Sequence, residues 1–338
     1  MVVLIFCKRI SQRIISIFLS IIIFLSFTSI FSLSAAASNW TFAQTLAIQK
    51  IKQGFYSFDE KIDLTEFGVT PDEIADLFVF VIKNDPYLFF VDTKLSYYYK
   101  NDGSMFYIKP KYTVTPEEAT QMITFCLDEV RRIAGLVHPK MSDAEKALFV
   151  HDYLCEQYTY DLLYASDDMY KFLVNKTGTC QGYAWTYMAI LRELSIECCY
   201  VASDTINHIW NMVKIDGEWY HCDVTWDDGE QPTRRHFLCS DEKALAQGHR
   251  DWYSAYGLNC SSVTYDALDF ASITHRVYSG DCDHDGKLTL YDLVLLRRHI
   301  SKKGSDICQI CADTSADLVC DLTDAEILRQ KLLVQRQS

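Results

Sequence analysis

Two alternating apolar runs joined by Asp216-Gly217 constrain the fold of this chain more than any other feature. The first run covers residues 208–215 and the second begins at Glu218. An Asp-Gly pair between such runs is a strong signal for a two-residue β-hairpin turn. A turn centred there pairs Ile215 with Glu218 and continues the ladder to Thr225. The sequence therefore predicts an antiparallel hairpin with a defined register.

The register of this hairpin brings polar side chains to one face. Side chains alternate along a strand, so His208 and Asp223 share a face, with Trp210 opposite Asp223 and His208 opposite Thr225. His208 and Asp223 become diagonal neighbours about 7–8 Å apart at the backbone. A shift of the strand register by one residue would place the two side chains on opposite faces of the hairpin. His221 points to the same side and is a candidate supporting group.

Cys180 precedes a stretch with helical spacing. Apolar residues recur through 181–194, which predicts a helix that begins beside the thiol. The unpaired N–H groups and the positive dipole at a helix start favour a thiolate and can hold an oxyanion. A thiol, an imidazole and a carboxylate are the parts of a cysteine-nucleophile active site. Since the chain has 13 cysteines, a structural cysteine is the alternative, but the helix start and the hairpin favour catalysis.

Three segments together resemble a bacterial transglutaminase-like domain of the papain fold: Cys180-Gln181-Gly182-Tyr183-Ala184, residues 207–213 and residues 219–228. The resemblance covers about 141–240. It implies an α+β papain-like core, in which a helix bearing the cysteine packs on an antiparallel sheet, and no cofactor for catalysis. It also implies that Cys180 is the nucleophile, His208 the general base and acid, and Asp223 the orienting carboxylate. A second oxyanion donor cannot be mapped.

The N-terminus has the pattern of a secretory leader. Lys8, Arg9 and Arg13 precede an apolar run over residues 14–33, and small residues follow at 34–38. These features predict a signal peptide over residues 1–37 and a secreted, extracellular protein. The run is long enough to span a bilayer, so an uncleaved anchor is the alternative.

The charge balance is acidic, with 45 acidic and 32 basic residues and a net charge of −13. Such a chain lacks the basic footprint of a nucleic-acid-binding protein. We therefore expect no nucleic-acid partner, and no membrane association once the leader is removed. With Cys7 cleaved and Cys180 free, an odd number of cysteines is left, so they cannot all pair, and the disulfide pattern stays unassigned.

The C-terminal region repeats a calcium-loop pattern. Residues 281–292 place oxygen ligands at the positions of an EF-hand loop, with Gly286 at the sharp turn and an apolar helical stretch after the loop. The pattern recurs over 313–324, where Leu318 replaces the glycine, and the strain of a bulky residue at this tight position predicts weaker calcium binding by the second loop. The candidate ligands are Asp281, Asp283, Asp285, Lys287 (through its carbonyl), Thr289 and Asp292 in the first loop, and Asp313, Ser315, Asp317, Val319, Asp321 and Asp324 in the second.

The duplicated loop and helix resemble a type I dockerin over residues 278–338. The resemblance implies a small all-α domain that holds structural Ca²⁺ and binds a cohesin domain of a scaffold protein, as in a cellulosome. By the same resemblance the cohesin-contacting residues are Leu290, Tyr291, Arg297 and Arg298 in the first repeat and Leu322, Thr323, Arg329 and Gln330 in the second.

Residues 38–140 carry no catalytic motif. Thr70 and Thr115 each open a capping box with proline at the first helical position. Between these helix starts, aromatic-rich runs over 87–91, 94–100 and 105–110 predict a β-meander with a turn at residues 101–103. We expect an α+β accessory region, and a further capping box at Ser142 begins the catalytic domain.

Four segments follow from these patterns: a signal peptide over 1–37, the accessory region over 38–140, the transglutaminase-like catalytic domain over 141–277 and the dockerin over 278–338. The expected function is a scaffold-docked cysteine acyl-transfer enzyme that cleaves peptide or glutamine carboxamide bonds in protein or peptide substrates through a thioester. A peptidase or amidase within a cellulosome-like, polysaccharide-degrading complex is favoured because water is always present as an acceptor. The alternatives are a protein-crosslinking transglutaminase and a non-catalytic module that binds protein or cell wall.

Overall fold

The computed structural model describes residues 40–102, 105–163, 166–229, 232–254, 258–265, 280–285, 287–304, 307–315 and 319–335. The predicted leader and the predicted boundary at 277/278 lie outside the described residues. Within them, no helix has both the length and the apolar character needed to cross a membrane.

The accessory region is a pair of helices packed on a small antiparallel sheet. The helices are α1 (Phe42–Tyr56) and α2 (Pro71–Asn84), and the strands β1 (Ile62–Asp63), β2 (Tyr97–Tyr99) and β3 (Phe106–Ile108) lie in the order β1-β3-β2. A 3-10 turn spans Thr65–Phe67. The predicted hairpin is confirmed, since Tyr98 pairs with Tyr107.

The first strand of the predicted meander is wrong. Residues 87–91 form turns, with a single bridge from Val91 to Tyr112. The Asp85 carboxylate accepts the backbone N–H of Tyr87 at 3.1 Å, which is the hydrogen bond of an Asx turn. The aromatic side chains of this segment pack in the core, and its backbone does not pair as a strand. The third strand of the sheet is β1 instead.

The capping boxes form as the sequence predicts. Thr70, Thr115 and Ser142 begin α2, α3 (Pro116–Ala134) and α4 (Asp143–Gln157). α3 joins two cores, because its first turns pack with the accessory region and its last turns pack with the following domain.

The second core lies between helices and a four-stranded antiparallel sheet. Its helices are α4, α5 (Met169–Asn175) and α6 (Cys180–Glu193), and a short parallel pair joins β4 (Thr159–Tyr160) to β5 (Thr177–Gly178). The sheet has the order β8-β7-β6-β9, made of β6 (Cys198–Ser203), β7 (His208–Ile215), β8 (Glu218–Cys222) and β9 (Tyr253–Ser254). α6 packs against β6 and β7, so the helix that begins at Cys180 contacts the strand that begins at His208.

The central hairpin has the predicted register but a shorter second strand. Ile215 pairs with Glu218 across the Asp216-Gly217 turn, which confirms the register. The predicted pairing of His208 with Thr225 is wrong, because β8 ends at Cys222 and residues 224–227 form the short helix α7 (Val224–Asp227). His208 pairs instead with Ser203 of β6. α8 (Asp241–Gln247) follows.

The C-terminal region is helical, with a small core of its own. α9 (Leu290–Ile300) and α11 (Leu322–Gln335) pack together through Leu295, Leu296, Leu328 and Leu332, and the short α10 (Gln309–Ala312) lies between them in sequence. Segregated helices and antiparallel sheets confirm the α+β prediction.

Candidate active site and calcium loops

The thiol of Cys180 lies at the first residue of α6, after the N-cap Thr179. Two glycines allow this helix start to pack against Phe172. A Cβ on Gly178 would come within 2.4 Å of the Phe172 ring, and one on Gly182 within 2.8 Å. Phe172 is fully buried. Tight packing therefore fixes the position of the helix start, and the predicted helix is confirmed.

His208 links the thiol to a carboxylate. Its Nε2 lies 2.7 Å from Oδ2 of Asp223, and the Cys180 thiol lies near enough to the ring to help raise the pKa of His208. Because Nε2 faces the carboxylate, Nδ1 is the nitrogen left for the thiol. The ring stacks on Trp226 with centroids 4.9 Å apart. The structure thus brings the three predicted residues together in the order thiol, imidazole, carboxylate.

Asp223 is a helix cap rather than a strand residue. Its Oδ1 accepts the backbone N–H of Trp226 at 3.1 Å, which starts α7, and its own N–H donates to the His236 carbonyl at 3.0 Å. Asp223 is fully buried. The cap turns the chain out of the sheet while it keeps the carboxylate aimed at His208.

The charges of this pair support each other. Burial opposes a charged His208 ring, but the carboxylate of Asp223 and the thiol of Cys180 outweigh it and raise the pKa of His208 to about 10. Burial alone would also raise the pKa of Asp223, yet His208 and His249 hold that pKa well below its usual range. The site therefore keeps an anionic carboxylate beside a ring that binds its proton tightly.

His249 is a member of the site that sequence reasoning missed. Its Nε2 lies 2.9 Å from the same Oδ2 of Asp223, and its ring packs on Trp226 with centroids 4.2 Å apart. It follows Gly248, which ends α8 in the left-handed conformation at φ 110°. No spacing rule connects His249 to Asp223. The helix-ending glycine beside it was the only local signal.

His221 supports the site without a free nitrogen. The indole N–H of Trp210 donates to His221 Nδ1 at 2.9 Å, and His221 Nε2 lies 2.9 Å from Asp241 Oδ1. Because an indole N–H can only donate, the proton of the neutral ring is on Nε2. Burial lowers the pKa of His221, in keeping with a neutral ring. Both nitrogens are occupied, so His221 orients Trp210 and is not a second base.

Asp227 holds the loop that meets Asp223. Its carboxylate accepts the backbone N–H groups of Arg235 at 2.9 Å and His236 at 3.0 Å, and it also lies 3.1 Å from His151. Hydrogen bonds from His151 and His236 outweigh burial and keep the pKa of Asp227 well below its usual range. This buried anion fixes the carbonyl of His236 that accepts the Asp223 N–H.

Carboxylates converge in the first predicted calcium loop. Oxygens of Asp281, Asp283 and Asp285 lie within 4.8 Å of one another. Asp292 closes the loop, since its oxygens accept the backbone N–H groups of Cys282 at 2.8 Å and Thr289 at 2.7 Å. A carboxylate oxygen that accepts one hydrogen bond can still bind a cation, and clustered carboxylates suit a hard cation. Of the remaining predicted ligands, Lys287 donates its backbone N–H to Asp285, and Thr289 caps α9. The residues present fit Ca²⁺.

The second loop is closed in the same manner. Asp324 accepts the backbone N–H groups of Ser315 at 2.9 Å and Asp321 at 2.8 Å. The Ser315 hydroxyl donates to Asp313 at 3.2 Å. Asp317 and Leu318 lie outside the described residues, and Val319 is exposed.

The predicted cohesin-contacting residues differ in exposure and in their contacts. Leu290, Tyr291 and Leu322 are more than half exposed and lie in the first turns of α9 and α11. Arg329 and Gln330 instead bond Glu326 of their own helix. Arg297, Arg298 and Thr323 are exposed.

Comparison with known families agrees with this architecture. The transglutaminase-like superfamily matches residues 131–224, and the type I dockerin domain matches residues 279–333. The chain carries a transglutaminase-like domain and a type I dockerin domain. The first match supports a cysteine enzyme of that superfamily. Type I dockerin domains bind calcium and cohesin domains, and they occur in extracellular cellulosome components.

Curated relatives share only the transglutaminase-like part. Kyphoscoliosis peptidase from Homo sapiens is 25% identical over 123 residues, which is 30% of this chain, and its Mus musculus counterpart is 25% identical over 117 residues, or 29% of this chain. The match spans 18% of the length of each relative.

Two solved structures are also similar. One is a TGase at 13% identity and a TM-score of 0.30, covering 56% of this chain and 59% of that chain. The other is a "Putative Cysteine Protease from Cytophaga hutchinsonii" with 16% identity and a TM-score of 0.27, covering 51% of this chain and 76% of that chain.

Proposed function

We propose that this protein is a secreted, scaffold-docked cysteine enzyme that hydrolyses peptide or glutamine carboxamide bonds through a thioester. The observation that carries the proposal is the hydrogen bond of 2.7 Å between His208 and the buried Asp223, on a ring whose pKa the nearby Cys180 thiol also raises. A thiol at a helix start beside an oriented imidazole is the arrangement that nucleophilic catalysis requires.

The proposed reaction has two halves. The Cys180 thiol gives its proton to His208 as the sulfur attacks the carboxamide carbon, the C–S bond forms, and the carbonyl electrons move to oxygen near the N-terminus of α6. When this intermediate collapses, the C–N bond breaks and His208 gives its proton to the leaving amine. His208 then takes a proton from water as a C–O bond forms, the C–S bond breaks, and His208 returns this proton to the sulfur, which restores the thiol.

Turnover with and without an amine acceptor tests this proposal. Glutamine-containing peptides and unmodified proteins would be incubated with the full chain, and released amine, free acid and crosslinked product would be measured. We expect release of amine and acid that is lost in Cys180→Ala. A dominant crosslinked product when a primary amine is added would instead make the enzyme a transglutaminase.

Thiol labelling supplies the control for a non-catalytic module. Iodoacetamide should modify Cys180 faster than Cys320, which is also half-buried but lies in the dockerin domain. Cys320→Ser should keep full turnover. Labelling of Cys180 at the rate of Cys320, with no turnover of any peptide, would contradict the enzyme proposal and favour a binding module.

We further propose that the two loops of the dockerin domain hold structural Ca²⁺ and present α9 and α11 to a cohesin. The exposed apolar side chains of Leu290, Tyr291 and Leu322 support this surface. Binding to a panel of type I cohesin domains should be lost on chelation and should return when calcium is added back. It should also fall in the double variant Leu290→Ala, Tyr291→Ala. Cohesin binding that survives excess chelator would contradict the proposed requirement for structural Ca²⁺.

A further inference from the structure

Three soft donor groups converge where the dockerin domain meets the transglutaminase-like core. One donor atom each from His284, Cys308 and Cys311 lies within 4.8 Å of the others. Nδ1 of His284 is 3.4 Å from Sγ of Cys311, and the two sulfurs are 2.8 Å apart. Both cysteines are fully buried, and they pack in the hydrophobic core of the transglutaminase-like domain. Neither the catalytic triad nor the calcium ligands use these side chains.

The backbone holds the two cysteines in place. The N–H of Cys308 donates to the Cys282 carbonyl at 2.7 Å, and the Cys311 carbonyl accepts the N–H of Gly280 at 2.8 Å. Within the Cys-x-x-Cys turn, the N–H of Cys311 donates to the Cys308 sulfur at 3.4 Å. A Cys-x-x-Cys turn with both sulfurs on one side and a nearby imidazole is the donor set that Zn²⁺ prefers.

A second imidazole approaches from the other domain. His138 lies between α3 and α4, and its ring centroid is 5.6 Å from that of His284. Two imidazoles on one tetrahedral zinc, with Zn–N near 2.0 Å, have centroids about 5 Å apart. Nδ1 of His138 accepts the N–H of Lys140, which leaves Nε2 for a metal. The Lys140 ammonium in turn donates to the Asp283 carbonyl at 2.9 Å and fastens this segment to the calcium loop.

We propose that Cys308, Cys311 and His284, with His138 as the fourth ligand, bind a thiophilic divalent cation such as Zn²⁺ and so tie the dockerin domain to the transglutaminase-like core. Binding releases two thiol protons to water, and two thiolates balance the charge of the ion in a buried site. The His284–Cys311 distance already suits one zinc. The sulfurs must separate by about 1 Å, because two thiolates at 2.3 Å from a tetrahedral ion lie about 3.8 Å apart.

Cobalt and zinc titration of the reduced, calcium-saturated full chain tests the site. The Cys180→Ala background removes the thiol of the active site, so that any thiolate-to-metal absorption comes from elsewhere. We expect one equivalent of Co²⁺ to give thiolate charge-transfer and tetrahedral bands, and Zn²⁺ to displace it. Cys308→Ser, Cys311→Ser, His284→Gln and His138→Gln should each weaken binding by at least about tenfold, since even outer-shell partners have effects of that size. Cys320→Ser is the matched control and should bind as the background does.

Three results would overturn the proposal. The bands would persist in Cys308→Ser and Cys311→Ser if another cluster held the ion. Freshly purified chain with a Cys308–Cys311 disulfide and no metal would mean that the pair is a redox crosslink. Loss of metal binding in the cysteine variants but not in His138→Gln would mean that His138 is not a ligand. The metal would then not link the two domains through His138. Because none of these readouts uses turnover, failure here is distinguishable from failure of the proposed enzyme activity.

Discussion

Asp223 is the buried carboxylate on which the electrostatics of the candidate active site depend. Its carboxylate accepts hydrogen bonds from His208, His249 and the Trp226 backbone, at 2.7, 2.9 and 3.1 Å. A fully buried carboxylate is costly unless such donors compensate it. His208 lowers the pKa of Asp223, and the Asp223 carboxylate in turn raises the pKa of His208 and so keeps a proton on the ring.

The pH dependence of turnover should report this coupling. His208 must carry a proton to release the amine, so kcat/KM should fall as the pH rises through the His208 pKa of about 10. In Asp223→Asn the carboxylate that raises the pKa of His208 is lost while burial still lowers it, so the fall should move well below pH 10. Asp241→Asn, which alters the partner of His221 instead, should keep the fall near pH 10.

The same shift predicts a stability change of defined sign. The folded-state pKa of His208 lies above its unfolded value of about 6.5. Protonation of His208 therefore adds stability that is complete below about pH 6.5 and is lost as the pH rises through about 10. The free energy of unfolding would be measured against pH for wild type and for Asp223→Asn. The same pH dependence in both proteins would contradict the coupling between Asp223 and His208.

His249 should act through Asp223, because its Nε2 contacts that carboxylate. Without this donor the carboxylate and the His208 ring can shift, and misplacement near 1 Å can cost about 10²-fold in rate. We expect His249→Leu to lower kcat by up to about 10²-fold with KM unchanged. His249→Gln keeps an N–H donor and should recover part of kcat. Equal loss in both variants, or a change confined to KM, would point to a purely structural or substrate-binding role.

At the level of elements, α6 depends on close packing at its first turn. A Cβ on Gly182 would lie 2.9 Å from the Cβ of Phe172 and 2.8 Å from its ring, so Gly182→Ala overpacks a buried contact. Alanine favours a helix over glycine by up to about 1 kcal/mol, but overpacking costs about 1–3 kcal/mol. Net destabilisation is expected in chemical denaturation. Gly229→Ala, where nothing lies within 4 Å, is the control and should be neutral. A Gly182→Ala protein at least as stable as wild type would contradict this packing.

Elements with local signals could be predicted, and those decided by a distant partner could not. The Asp216-Gly217 turn fixes its own register, and the capping boxes at Thr115 and Ser142 fix their own helix starts. The strand predicted to reach Thr225 fails because the Asp223 side chain, held by His208, caps α7 instead. Strand parity nevertheless placed His208 and Asp223 together, since the capping residue keeps its side chain on the predicted face.

The candidate site was only partly visible in the sequence for the same reason. Thiol, imidazole and carboxylate each lie at an element boundary with a recognisable local pattern. His249 reaches Asp223 through the packing of α8 against β8, and no pattern in residues 241–249 encodes that contact. Likewise, aromatic residues at 87–91 resemble a strand, but the Asp85 carboxylate turns the backbone there.

Across the whole molecule, side chains of α6 join the accessory region to the transglutaminase-like core. The last carbonyls of α2 have no partner within their own helix. The Trp185 indole donates to the Lys83 carbonyl at 3.1 Å, and the Arg192 guanidinium donates to the Asn84 carbonyl at 2.7 Å. Arg192 also holds the Cys198 carbonyl at the start of β6. One guanidinium therefore binds carbonyls at the C-terminal end of a helix and at the start of β6.

Arg192→Met should loosen this junction. The apolar stem can be kept, but carbonyls of Asn84 and Cys198 lose a charged donor, and hydrogen bonds to charged groups contribute about 1.5–3 kcal/mol. We expect destabilisation of that size in denaturant unfolding, with earlier proteolysis between the accessory region and the core. Arg131→Met is the matched control, because its ion pair with Glu193 is 3.7 Å long and exposed and should contribute less than about 1 kcal/mol. Equal effects of the two substitutions would mean that the accessory region is held by apolar contacts along α3 rather than by the Arg192 hydrogen bonds.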